Sequence, residues 1–235
     1  MRHLFLFYYK FAETYLHLPR IKKFLIKNIY LNKPIIFDVG AYTGSTLKLF
    51  YRLYPNGLFY CFEPNLNSFR KLKEIKNKKI KIFKLALGNN NKTTRINTNP
   101  IDMTNTLAML NKNSFYLTLK NLIIGNQKNK IKKENVNLVK LDSFCKKKNI
   151  KTIDILKIDT EGFELDVLFG AKKIIKSVKY LIIEIQKNDM YESYSSKKIK
   201  DYLKKNNFKK IKSFSFPFMF FEDCVYVNSG LMAKG

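Results

Sequence analysis

Residues Ile35 to Ser45 read IIFDVGAYTGS, an apolar run broken by one carboxylate and followed by glycines at positions 40 and 44. Ile35 to Val39 has the length and the apolar continuity of a strand buried on both faces. Gly40 and Gly44 let the chain turn tightly and approach a ligand closely. Thr46 to Tyr54 then shows helical spacing and stops at Pro55. A strand running through a glycine turn into a helix amino terminus opens a ligand-binding βα unit. The spacing is G-x-x-x-G, not the dinucleotide G-x-G-x-x-G, and Asp38 stands just before it. A carboxylate there repels a pyrophosphate and suits a ligand with a positive centre, such as an amino group or a sulfonium. The next apolar run, LFYCFEP (Leu58 to Pro64), carries Glu63, nineteen residues after Gly44. A carboxylate at that strand end can accept both hydroxyl protons of a ribose. The combination points to a nucleoside without phosphates.

Outward from this unit the alternation continues. Ser68 to Lys76 reads as a helix and IKIFKLALG (Ile80 to Gly88) as a third strand. After a pause come TIDILKID (Thr152 to Asp159), a helix from Glu164 to Lys176, and KYLIIEI (Lys179 to Ile185). A helix from Lys197 to Asn206 leads to strands at Phe208 to Phe214 and Cys224 to Val227. Strands alternating with helices imply a parallel, doubly wound sheet. Ser215 to Asp223 is too short for a crossover helix, so the seventh strand should run antiparallel to the sixth. The expected fold is therefore α/β and Rossmann-like, with a seven-stranded, mostly parallel sheet and an antiparallel last strand. The pause, Asn89 to Asn137, is polar apart from a patch near Phe115 to Ile124. It reads as an insertion of loops and a short helix, a cap on the acceptor side. Asp142 is placed to cap a helix starting at Ser143. The domain thus spans 34–228, with a helical extension at 1–33 and a tail at 229–235.

Composition narrows the function classes. The chain has 235 residues, 45 Lys+Arg against 18 Asp+Glu, and a formal charge of +27. Five of the basic residues are Arg, the side chain preferred for bidentate phosphate and base recognition. The Lys excess arrives with abundant Asn, Ile and Phe, as an A/T-rich coding bias would give, so it does not by itself name a nucleic-acid partner. The scarce acids are more informative: five of the eighteen lie between Asp154 and Asp166. Cys61, Cys145 and Cys224 form no C-x-x-C, and the two histidines, His3 and His17, lie before the domain. This argues for a reducing cytoplasm and against a His-based metal or nucleophile site in the domain. No signal peptide or membrane-spanning run is expected. Leu18, Ile21, Leu25 and Ile29 recur at helical spacing opposite Arg20, Lys22, Lys23 and Lys27. That helix either packs on the domain edge or rests on the inner face of an acidic membrane through residues 18–30.

Taken in order, DVGAYTGS, FEPN, KIDTEGFELDVLFGA (Lys157 to Ala171) and IIEI (Ile182 to Ile185) resemble the FkbM family of S-adenosylmethionine-dependent methyltransferases. The resemblance covers about Ile35 to Ile185, and its most specific part is K-I-D-x-E-G-x-E. It implies the class I methyltransferase fold, S-adenosyl-L-methionine as cofactor, and methyl transfer to a hydroxyl of a sugar, a polyketide or a similar metabolite. The cofactor contacts it implies are Asp38, Gly40, Ala41, Tyr42 and Gly44 in the first loop, Glu63 and Pro64 in the second, and Ala86 and Leu87 after the third strand. The family usually has Asn where this chain has Tyr42, and residues 89–137 show little that aligns.

An alcohol is a poor nucleophile, so a base near it should help. Asp159, ending the fourth strand, is the first candidate and Glu161 the second. Glu164 and Asp166 sit where carboxylates favour a helix start. Lys157, inside a strand, needs a buried partner, and Glu184 on the neighbouring strand is the expected one. Phe216 and Phe218, in the loop between the last strands, either stack on the acceptor or form a local apolar cluster. A divalent ion has Asp159 and Glu161 available, but no spacing demands one, and no metal is expected. The expected activity is O-methyl transfer to a sugar, glycan or similar small molecule. One competitor is an RNA or DNA methyltransferase. Amino-methylating members usually carry N-P-P-aromatic after the fourth strand, and this chain has DTEG there. The other is a non-catalytic cofactor-binding module at a membrane surface.

Overall fold

The amino-terminal extension is one long helical segment: α1 (Arg2–Phe11), a π-helical stretch (Ala12–His17), and α2 (Leu18–Asn28). The computed structural model describes residues 2–98, 105–124, 132–217 and 220–232. After the extension come β1 (Ile35–Val39), α3 (Ser45–Leu53), β2 (Leu58–Phe62), α4 (Leu66–Lys73) and β3 (Ile80–Phe83). Next are β4 (Ala86–Leu87), β5 (Lys92–Thr98), α5 (Phe115–Ile124), β6 (Lys132–Val139) and α6 (Leu141–Lys148). The remainder is β7 (Ile153–Ile158), α7 (Glu164–Phe169), a 3-10 turn (Ile174–Ser177), β8 (Val178–Gln186), α8 (Ser196–Lys205), β9 (Phe208–Ser215), β10 (Phe221–Asn228) and α9 (Ser229–Met232).

Seven strands form one sheet in the order β3-β2-β1-β7-β8-β10-β9. The first five are mutually parallel, and β10 runs antiparallel to both of its neighbours, β8 and β9. This is the class I methyltransferase fold. Successive residues face opposite sides: Ile36 and Ile155 pack on one face, Phe37 and Leu156 on the other. Both faces are covered, which is why these strands are apolar throughout. The chain leaves β1 toward β3 and returns through β7, so the strand order reverses between β1 and β7. Ligands of such sheets bind at that switch, beyond the carboxyl ends.

Ile21 and Leu25 of α2, and Ile29 just after it, are buried in one cluster with Leu47 and Phe50 of α3. Each buried aliphatic contributes about 1.5–3 kcal/mol, against about 1 kcal/mol for a Lys near an anionic headgroup. Of the two expectations for this helix, the structure shows the packing on the domain, while Arg20, Lys22, Lys23, Lys27, Ile26 and Tyr30 stay exposed.

Three expectations change. The segment 89–137 is not only loops and a helix, because β5 and β6 pair antiparallel and join β4 in a second, three-stranded sheet. Ile96, Val136 and Leu138 bury its inner side with Ala86. The helix expected to reach Lys176 ends at Phe169, where Gly170 crosses Gly88 so closely that a Cβ on it would lie 1.9 Å from the Gly88 carbonyl oxygen. Asp142 does not cap its own helix. It sits in the first turn of α6, and its carboxylate accepts from the Lys173 and Ile174 N–H groups at 2.9–3.1 Å, capping the 3-10 turn instead.

Candidate active site

The loop after β1 folds back on β2: the Gly40 and Ala41 N–H groups both donate to the Phe62 carbonyl, at 3.0 and 3.1 Å. Gly40 has φ +80, and a Cβ there would lie 1.8 Å from the Asp159 carbonyl oxygen. Only glycine lets the ends of β1 and β7 close in this way. Tyr42 follows with φ +48, a left-handed conformation that Asn tolerates better than Tyr. The Tyr42 N–H donates to Glu63 Oε2 at 2.9 Å and the Asn65 N–H to Glu63 Oε1 at 2.8 Å. A carboxylate offers about four acceptor sites, so two backbone donors orient it without saturating it.

These residues form one half of a cleft. Gly40, Ala41, Tyr42, Glu63, Pro64, Ala86 and Leu87 all line it. Two of the expected cofactor residues do not. Gly44 has φ +88 and is pressed against Leu72, where a Cβ would lie 2.9 Å from Cδ1, so it serves the packing of α3 on α4. Asp38 lies behind the loop, 2% exposed, with no hydrogen-bond partner for Oδ2 among the described residues. Burial pushes its carboxyl up to about 7, with Lys157 pulling it down and Asp159 adding to the rise. A buried carboxyl oxygen without a donor beside a glycine loop fits a ligand that brings a positive centre. With the sugar-binding geometry of Glu63, the residues present suit the nucleoside sulfonium that the sequence pointed to.

The other half carries the acids. Asp159 follows β7 directly, its Oδ2 accepting from Lys157 Nζ at 2.8 Å. Lys157 Nζ also lies 3.6 Å from Asp223 Oδ1, and Asp223 Oδ2 is 2.7 Å from His17 Nε2. Burial opposes a charge on Lys157, but Asp159, Asp223 and Glu184 outweigh it and hold its pKa above the usual value. Burial likewise works against the Asp223 charge, and Lys157 and His17 still keep its pKa low. The expected Lys157–Glu184 ion pair is therefore corrected. Lys157 is in register with Ile182, which places Glu184 one pleat further on, and β10 brings Asp223 opposite Glu184. Glu184 accepts instead from Gln186 Nε2, and burial with Asp159, Glu161 and Asp223 pushes its carboxyl well up.

The loop DTEG is held by Glu164. Its Oε1 accepts from the Thr160 N–H, the Thr160 hydroxyl and the Gly162 N–H at 3.0–3.1 Å. Burial pushes the Glu164 carboxyl up to about 7 while those hydrogen bonds pull it down. Glu164 is thus a loop clamp rather than a simple helix-dipole charge. Glu161, at φ +54, accepts from the Tyr191 hydroxyl. One oxygen from each of Asp159, Glu161 and Glu184 can lie within 4.8 Å of the others. That set suits an oxygen-coordinated divalent cation, with Glu184 as a ligand the sequence did not indicate.

Phe216 is corrected as an acceptor contact on the cleft: it is buried and stacks on Tyr9 at 4.9 Å, with His17 and Phe221 at 5.0 and 4.9 Å. It is the local apolar cluster of the two alternatives, because it pins the amino-terminal segment. Phe218 lies outside the described residues.

Sequence reasoning missed that segment as part of the site. Tyr9 and Glu13 line the cleft together with Asp159. Burial pushes Glu13 up, a hydrogen bond to Ser45 pulls it down, and Asp159 adds to the rise. Two signals were available. Glu13 is the sole acid before Asp38, and Tyr9, Glu13 and His17 recur every four residues. The insertion also reaches the cleft, through Ile96, Asn105, Thr106 and Leu107.

A family model described as the methyltransferase FkbM domain matches residues 38–210. The 2-O-methyltransferase NoeI of Sinorhizobium fredii is 24% identical over 162 residues, 68% of this chain and 66% of that protein. Among solved structures, the FkbM methyltransferase of Methylobacillus flagellatus matches with a TM-score of 0.55 at 14% identity, over 86% of this chain and 45% of that one. Fibrillarin of Aeropyrum pernix, solved with S-adenosyl-L-methionine bound, matches with a TM-score of 0.51 at 12% identity, over 89% of this chain and 74% of that one. At these identities the structures speak for the fold. The chain spans 66% of NoeI and less than half of the M. flagellatus protein.

Proposed function

The chain belongs to the FkbM methyltransferase-domain family, and from that premise we propose that it transfers a methyl group from S-adenosyl-L-methionine to a hydroxyl of a sugar, a glycan or a similar small molecule. The observation that carries the reading is the position of Asp159. It stands at the switch point, beside the glycine loop, in a cleft that Tyr9 and Glu13 also line. NoeI, a 2-O-methyltransferase, supports oxygen as the receiving atom.

When bound, the cofactor supplies an electrophilic methyl group on a sulfonium. Glu63 would hold the ribose hydroxyls, and the Gly40 turn would let the methionine end approach the backbone. Ala86 and Leu87 would bound the base. On the acceptor side, Lys157 fixes Asp159 Oδ2, which leaves Oδ1 to take the proton of the attacking hydroxyl. Asp159 would keep the proton that the hydroxyl gives up in exchange for the methyl group. Glu161 and Glu184 would accept hydrogen bonds from neighbouring hydroxyls, or share a divalent cation with Asp159. Alignment of acceptor and methyl group provides much of the rate in such a displacement.

The cleft walls also favour a neutral acceptor over a nucleic acid. Glu13, Glu63, Asp159, Glu161 and Glu184 line the cleft, and no Lys or Arg does among the described residues. Labelled S-adenosylmethionine offered with neutral glycans, sugar nucleotides and RNA in parallel tests the reading. Neutral sugars should take the label, and label on RNA alone would overturn it. Asp159→Asn should lower turnover at least about tenfold, the scale of one general base, while cofactor affinity stays within a few-fold. Unchanged turnover would reject the role of Asp159.

A further inference from the structure

The amino-terminal helical segment presents two faces with different chemistry. Tyr9 and Glu13 turn toward the cleft, and His17 toward Asp223. On the opposite side of the helix, Leu4, Phe7, Phe11 and Tyr15 are 72%, 70%, 46% and 66% exposed. Phe7 lies 6.5 Å from Phe11, and Phe11 5.1 Å from Tyr15, so the rings form a ladder in solvent. α1 packs beside α5, where Phe115, Leu119 and Leu122, spaced i, i+4, i+7, are 78%, 38% and 72% exposed. Single exposed apolar residues are ordinary, but apolar stripes exposed on two helices that pack together mark a docking face.

Charge selects the occupant. Lys10, Arg20, Lys22, Lys23 and Lys27 of the same segment are exposed. Its one carboxylate, Glu13, faces the cleft, and α5 carries no acid. A second copy of the chain would bring like charge to like, with a net +27 on each partner. Aromatic and aliphatic side chains on a basic surface match the chemistry of a bilayer interface rich in anionic headgroups. No helix among the described residues is long and apolar enough to cross a membrane, so the contact would lie in the interface plane.

We propose that the face formed by α1 and α5 docks the protein on an anionic lipid bilayer. It also adds something to the enzyme. The helix that would lie on the membrane supplies a wall of the cleft, so the acceptor side would sit within about one helix diameter, roughly 10 Å, of the headgroups. An acceptor sugar carried on a lipid anchor would reach it from there.

Co-sedimentation with vesicles tests this without any methyl transfer, so its failure is distinct from failure of the activity. Vesicles of phosphatidylcholine with phosphatidylglycerol are compared with phosphatidylcholine alone. The protein should bind the anionic vesicles and leave the neutral ones in solution. The double variant Phe7→Ser/Phe11→Ser keeps every charge and should lower the partition coefficient at least about tenfold, as loss of two inserted rings requires. Leu122→Ser, on the other helix, should lower it in the same direction. Ile211→Ser, an exposed position on the edge strand β9, should leave it unchanged. Equal binding of the double variant and the parent would show adsorption by net charge alone and overturn the proposal. A concentration-dependent dimer in lipid-free solution, lost in the Phe7→Ser/Phe11→Ser variant, would overturn it as well.

Discussion

Asp38 shows what a single residue of this site costs the fold. Its carboxyl is buried beside the glycine loop, with a folded pKa of about 7 against 3.8 in an exposed chain. Below the lower value both states are protonated and there is no penalty. As pH rises toward 7 the unfolded chain ionises first, so stability falls. Above 7 the full penalty remains, on the order of a few kcal/mol at about 1.4 kcal/mol per pH unit. Glu164, raised to about 7 by its own burial, acts in the same direction. Asp38→Asn should therefore raise the Tm of the ligand-free protein more at pH 7.5 than at pH 4.5, while S-adenosylmethionine binds more weakly. Equal gains at both pH values would mean that the carboxyl is solvated in the folded state. This trade of stability for a binding group was half legible in the sequence. A carboxylate before a glycine turn announced a cationic ligand, but its depth behind the loop depends on register with Cys61 and Lys157.

At the scale of elements, the predicted strands of the main sheet recur in the structure because apolar periodicity is a local signal. Errors fall where two distant elements meet. The helix after β7 keeps its helical spacing past Phe169, yet it ends there because Gly170 must pass the Gly88 carbonyl. Gly170 has φ −79, so its role is space rather than an unusual backbone. Gly170→Ala should cost more than about 1 kcal/mol, the usual scale of overpacking. The loss should appear as a lower denaturant midpoint with an unchanged m-value. An unchanged midpoint would mean that α7 can shift away from the second sheet. That sheet was missed for a related reason. Its strands KTTRINT and KKENVNLV bury only one side, and their Lys, Asn and Thr read as loop when no partner strand is in view. The V-N-L alternation at 136–138 was the usable hint.

At the scale of the whole molecule, charge is divided between surface and site. The chain carries +27, while the described wall of the cleft holds five carboxylates and no Lys or Arg. A phosphate on the ring that receives the methyl group should therefore be rejected at the cleft, whatever long-range attraction brings it near. For a matched pair of acceptors, kcat/KM should be at least about tenfold lower for the one phosphorylated next to the receiving hydroxyl, a difference of about 1.4 kcal/mol. Comparable values would place the receiving hydroxyl outside the acidic wall.

The amino-acid sequence by itself determined the sheet, the glycine loop, Glu63 at the second strand end and Asp159 at the fourth. Each rests on spacing within one or two elements, which short-range sterics and burial impose. Only the tertiary structure decided which groups surround Asp159. His17 and Asp223 meet across 206 positions, and Lys157 takes Asp223 rather than Glu184 because β10 inserts beside β8. Contacts of that range leave no periodic trace along the chain. They are set by which strands become neighbours, and by a helical segment whose own pattern says that it has a buried face but not what that face is buried against.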